Sequence, residues 1–114
     1  MENIIEKKSF DFAVRIVNLY KHLSLGKREQ VLSKQVLRSG TSVGANIAEA
    51  QQAQSKADFI SKMNIALKEI TETKYWINLL TATNYLTENE KVSIFEDCIE
   101  IEKLLVSIIK TSKQ

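Results

Sequence analysis

The chain has no proline, three glycines, one cysteine and one histidine in 114 residues. Without proline, and with so few glycines, little in the sequence interrupts a helix, so long helices are expected. A lone cysteine excludes an intramolecular disulfide. One Cys and one His cannot supply a Cys/His zinc site within a single chain. No stretch approaches the roughly 18 apolar residues of a membrane span. Residues 1–9 mix charges around only Ile4 and Ile5, unlike a signal peptide. The expectation is a cytoplasmic protein without a membrane segment. Strong charge of one sign is also missing, the net balance being +2.

What is present is ordinary for a globular chain: 44% hydrophobic and 26% charged residues. The length suits one domain over residues 1–114. Four helical patterns fill it. The first covers residues 3–23, where Ile5, Phe12, Ile16, Leu19 and Leu23 form one seam. Phe10, Ala13, Val17 and Tyr20 form a second, more apolar surface than a lone bundle helix needs. Gly26 is placed to end this helix as a left-handed cap. The second helix spans 29–54. Ser55-x-x-Asp58 resembles a capping box opening the third. There Phe59, Met63, Ala66, Ile70, Thr73, Ile77 and Leu80 alternate spacings of four and three, a heptad core seam. Thr87 and Glu90 make a strict capping box for the fourth. Its core seam is Ile94, Cys98, Ile101, Leu105 and Ile108, widened by Phe95, Ile99, Val106 and Ile109. A buried, inert thiol is expected at Cys98. Short turns between four helices predict an all-α, antiparallel up-down-up-down four-helix bundle.

The most specific stretch is residues 37–50, LRSGTSVGANIAEA. Gly40, Gly44 and Ala48 are four apart and make a ridge of small residues where another backbone can come close. Leu32, Val36, Val43, Ile47 and Ala50 supply a buried stripe, and Gln35, Arg38, Ser42, Asn46 and Glu49 a polar side. That polar side reads either as a solvated face or as a ladder satisfied across a helix or subunit seam. Gln35-x-x-Arg38, the run from Ser42 to Ala50, and Leu67-Lys68-Glu69 together resemble the four-helix-bundle family encoded in intervening sequences of bacterial 23S ribosomal RNA genes. Ala50 stands where that family usually has Gly, and its common interhelical Pro is missing. The resemblance implies an antiparallel bundle, often a homopentamer, kinship to the accessory variability proteins of diversity-generating retroelements, and no known catalytic activity.

A second series on the third helix, Ile65, Glu69, Glu72, Trp76 and Leu79, reads as a subunit interface, with Glu69 or Glu72 meeting a base such as Arg38. Glu69 and Glu72 are a poor match to a di-iron site, which needs Glu-x-x-His motifs, because the only histidine is His22. No cofactor, metal or enzymatic activity is expected. Residues 1–38 carry eight basic and four acidic side chains, whereas residues 75–114 carry four and six. Lys8, Arg15 and His22 recur at seven-residue intervals, either a solvated strip or a phosphate-contacting one. Two functional expectations follow. In one, an oligomer binds RNA or DNA through Lys7, Lys8, Arg15, Lys27 and Arg28, contacting phosphates rather than bases. In the other, the oligomer docks a protein and binds no nucleic acid.

Overall fold

The computed structural model describes residues 3–114. Met1 and Glu2, included in the charge balance above, lie outside the described residues. Four α-helices follow in order: α1 (Ile4–Lys21), α2 (Leu32–Ala50), α3 (Lys56–Ala82) and α4 (Glu88–Ser112). No strand occurs among the described residues. The bundle measures 44 × 23 × 20 Å. Its long axis is close to the roughly 40 Å expected of a helix as long as α3. Each helix packs on the next in sequence, and α4 returns to α1. The cyclic order α1-α2-α3-α4 therefore places the outer α1–α2 face opposite the outer α3–α4 face.

The local start signals work as the residue chemistry requires. Asn3 accepts from the Ile5 N–H at 3.0 Å and caps α1. Ser55 accepts from the Asp58 N–H at 3.0 Å. The shorter Asp58 carboxylate accepts from the Gln54 N–H at 3.2 Å, one residue before the position a capping-box Glu would serve. Thr87 and Glu90 form the full reciprocal box of α4. The heptad seams become the core: Ile5, Phe12, Ile16 and Leu23 of the first segment, Met63, Ala66, Ile70, Ile77 and Leu80 of α3, and Ile94, Cys98, Ile101 and Leu105 of α4 are buried.

Four expectations need correction. Gly26 is not a left-handed cap, since no glycine has positive φ. The chain instead runs from α1 into a π-helical turn, His22–Gly26, closed by the Lys27 N–H to the His22 carbonyl at 3.1 Å. The wider turn carries the helix past Gly26, so the reversal falls on Arg28 at φ 56°. The Glu29 N–H then reaches back to the Leu23 carbonyl at 2.8 Å. Second, Glu29 does not begin α2 as a helical residue. Its carboxylate accepts the N–H groups of Val31, Leu32 and Ser33 at 3.2, 3.1 and 2.6 Å, making it the side-chain cap of a helix whose formal N-cap, Val31, has none. Burial alone would raise the Glu29 pKa, but these backbone donors hold it below the usual carboxylate range. Third, α2 stops at Ala50, and residues 51–54 form the turn. Fourth, Ile99 and Val106 do not widen the core. They are 40% and 49% exposed, while Ile109 takes the buried position and Ile108 is half-buried.

Candidate interaction surfaces

The sides of α2 do different work. Gly40, Gly44 and the α1 helix form one seam. A Cβ on Gly40 would lie 2.8 Å from Ile16 side-chain carbons, and one on Gly44 would lie 3.2 Å from the Ser9 carbonyl oxygen. Gly40 and Gly44 of the small-residue ridge thus bring two helices of the same chain together, with backbone against backbone at Gly44, while Ala48, the third member, stays exposed. Outside that contact lies an open groove of about 790 Å³ between α1 and α2. Phe10, Ala13, Thr41, Gly44, Ala45 and Ala48 line it. Phe10, from the second apolar surface of α1, is 69% exposed beside it.

The other side of α2 faces α3. Here the residues of the family motif and those of the second α3 series share one outer face. Arg38 donates to Glu72 through Nη2, and its Nη1 lies 3.9 Å from Glu69 Oε2. Trp76 Nε1 donates to the same Glu72 oxygen at 2.9 Å. The expected meeting of Arg38 with these carboxylates therefore forms within one chain. Lys62 joins Glu49 across the helices at 3.2 Å. Asn46 turns back to the Ser42 carbonyl at 2.9 Å, a bond internal to α2. Gln35 and Leu79 are half-buried, and Ile65 is 37% exposed. Below this layer, Thr73 of the heptad seam donates to Ser39 at 2.8 Å, a buried partner the apolar periodicity did not flag. Glu69 Oε2 is buried without a hydrogen-bond partner.

The α1–α4 seam takes up two of the eight basic side chains of residues 1–38. Lys8 meets Glu100 at 2.6 Å, Arg15 meets Asp97 at 2.8 Å, and His22 lies 3.8 Å from Glu90. Arg15 also donates to the Ser93 carbonyl at 3.2 Å and to the Ser93 hydroxyl. Antiparallel helices run the seven-residue strip of α1 along an acidic strip of α4, so Lys8 and Arg15 each find a carboxylate. Two of the five expected phosphate contacts, Lys8 and Arg15, are therefore engaged inside the chain. Lys7 pairs with Asp11 at 3.0 Å. Lys27 and Arg28 sit exposed at the far end of the bundle and form no ion pair among the described residues. Hydrogen bonding from the Thr87 N–H is the largest effect holding the Glu90 pKa down, helped by the charges of His22 and Lys27.

Among the described residues, no three His, Cys, Asp or Glu side chains converge as metal ligands. Burial pushes the Cys98 thiol up to about 12, so it holds its proton at neutral pH. Among the described residues, no helix is long and apolar enough to cross a membrane.

Comparison with curated proteins returns no match. Among solved structures, the chain is similar to a protein of unknown function from the S23 ribosomal protein family of Bacteroides thetaiotaomicron. The two share 62% identity over 95% of this chain and 96% of that one, with a TM-score of 0.94. The family model for the 23S rRNA-intervening sequence protein matches residues 1–107. With nearly the whole chain covered by that family model, the chain belongs to the 23S rRNA-intervening sequence protein family.

Proposed function

We propose that this protein is a non-catalytic, self-associating helical bundle that works by docking protein surfaces. One observation carries the reading: the closed bundle leaves large apolar side chains in solvent, above all Phe10, 69% exposed beside an open groove of about 790 Å³. Apolar patches of this kind mark protein interaction sites. The pairing of Lys8 and Arg15 with α4 carboxylates argues against a phosphate-binding strip, because a nucleic acid would have to displace partners already in place. A test is light scattering on the purified chain over a concentration series. An assembly larger than the 13.0 kDa chain supports the reading, and a monomer throughout removes it.

An RNA- or DNA-binding accessory role is the second reading, favoured by exposed Lys27 and Arg28 at one end of the bundle. An oligomer would repeat that pair and add avidity. Fluorescence anisotropy with structured RNA and duplex DNA across a salt series checks it. Binding with a steep salt slope, lost when Lys27 and Arg28 are reversed in charge, favours this role. Absence of binding at low salt leaves protein docking alone.

A further inference from the structure

Two apolar surfaces remain in solvent on opposite faces of the bundle. One is the α1–α2 groove, floored by Gly44, Ala45 and Ala48 and bordered by Phe10. The other is a stripe on the outer side of α4, where Val92, Ile99 and Val106 recur every seven residues and are 54%, 40% and 49% exposed. The first is concave, because its α2 wall has almost no side chains. The second is convex, because three branched side chains project from one helix face. The Ile99–Val106 part of the stripe matches the α2 wall of the groove in length. Thr41 to Ala48 and Ile99 to Val106 each span seven residues, about 10.5 Å of helix.

Their charges agree too. Glu6, one turn before Phe10, borders the groove, and its carboxylate has no ion-pair partner among the described residues. Lys103 and Lys110 stand one turn after Ile99 and Val106, exposed and likewise without an ion pair among the described residues. Lys7 and Asp11 also line the groove and pair with each other at 3.0 Å, so the groove offers the Glu6 charge and small residues. Beside Ile99 the stripe also carries Glu96, and Glu100 there is paired with Lys8, so Lys103 and Lys110 leave it one net positive charge and branched apolar knobs that fit between helix ridges.

From these observations we infer that the α1–α2 groove receives the α4 stripe of a second copy of this chain. The inference rests on the self-association reading and names its seam. Because groove and stripe lie on opposite faces, the contact is head-to-tail: every copy offers both halves, and the assembly closes as a ring or continues as a filament. Ile65 and Trp76 on the outer α2–α3 face are then not the anchors of this seam.

The experiment uses two full-length variants, Ala48→Arg to block the groove and Ile99→Arg to break the stripe. Both positions are exposed in the isolated chain, so helicity by circular dichroism should match the parent. Ala45→Arg and Val106→Arg repeat the test at second positions should either first variant misfold. In light scattering each variant alone should fall to the monomer mass. Mixed at equal concentration they should form a heterodimer and nothing larger, since only one intact groove and one intact stripe remain. An assembly that survives Ala48→Arg or Ile99→Arg overturns the inference. So does a mixture that fails to pair, which would indicate like faces meeting. If Ile65→Arg or Trp76→Ala alone dissociates the parent assembly, self-association stands and this seam falls. A parent chain that is monomeric at every concentration removes both.

Discussion

The two seams that α1 makes are held by different physics. Against α2 it is held by shape: Gly40 admits Ile16, and Gly44 admits the Ser9 backbone. Against α4 it is held by ion pairs at partly exposed positions, with Arg15 39% and Asp97 41% exposed. The first kind of contact tolerates almost no added volume, because interiors are close-packed. The second is screened by water and salt and contributes little per pair. The same helix therefore has a rigid side and a loosely tied side.

Substitutions can test that contrast, and the largest effect belongs to the rigid seam. Gly40→Leu should destabilise the fold by about 3 kcal/mol or more, since even a Cβ there collides with the fully buried Ile16. Urea denaturation checks this. A milder Gly40→Ala should cost less in an Ile16→Ala background than in the parent, because that change removes the carbons the new Cβ would meet. Additive effects would show that the seam is not the cause. Gly44→Leu should also weaken the fold, through its approach to the Ser9 carbonyl. If its stability were unchanged, the backbone contact would not hold the seam.

Next in size is the cap that sets where α2 begins. Glu29→Gln should cost about 1 kcal/mol at neutral pH, the usual weight of a helix cap. The folded-state pKa of Glu29 is depressed below 4.5. Its contribution is therefore complete above the unfolded-state value and lost as pH falls through the folded-state one. Thermal melts of parent and variant should converge in that acidic window. A gap unchanged at low pH would mean the carboxylate is not the source.

The smallest effects belong to the loosely tied side and its turn. Arg15→Met, which keeps the stem and removes the charge, should cost under about 1 kcal/mol, and less in high salt. A loss above about 2 kcal/mol that ignores salt would show that the α1–α4 seam is packed, not screened. Arg28→Gly should stabilise the chain by roughly 1 kcal/mol or less, because glycine adopts φ near 56° without a Cβ clash. Destabilisation would mean the arginine side chain holds the turn.

Legibility in the sequence followed the range of each interaction. The Thr87–Glu90 box and the α3 heptads were read correctly because both depend on residues three or four apart. The Gly26 cap was misplaced because a π-helical turn leaves no mark in hydrophobic periodicity. Glu29 looked like an ordinary first-turn acid, although the Ser33 that follows it donates its own hydroxyl back to the Glu29 carbonyl at 2.6 Å. The widening of the α4 seam failed for a simple reason. Seven-residue spacing shows that Val92, Ile99 and Val106 share a side, but not whether anything in the chain covers it.

By itself, the sequence determined the four helices, the caps at Ser55 and Thr87, the core stripe of α3 and the family. Those follow from backbone hydrogen bonds and side-chain periodicity within a turn or two. Only the tertiary structure decided that the basic strip of α1 meets the acidic strip of α4, and that Arg38 meets Glu72 inside one chain. It alone decided which apolar faces stay in solvent. The physical reason is distance along the chain: Arg15 and Asp97 are 82 residues apart, and Arg38 and Glu72 are 34 apart. Partners so separated are chosen by which helices stand side by side, which no local pattern encodes.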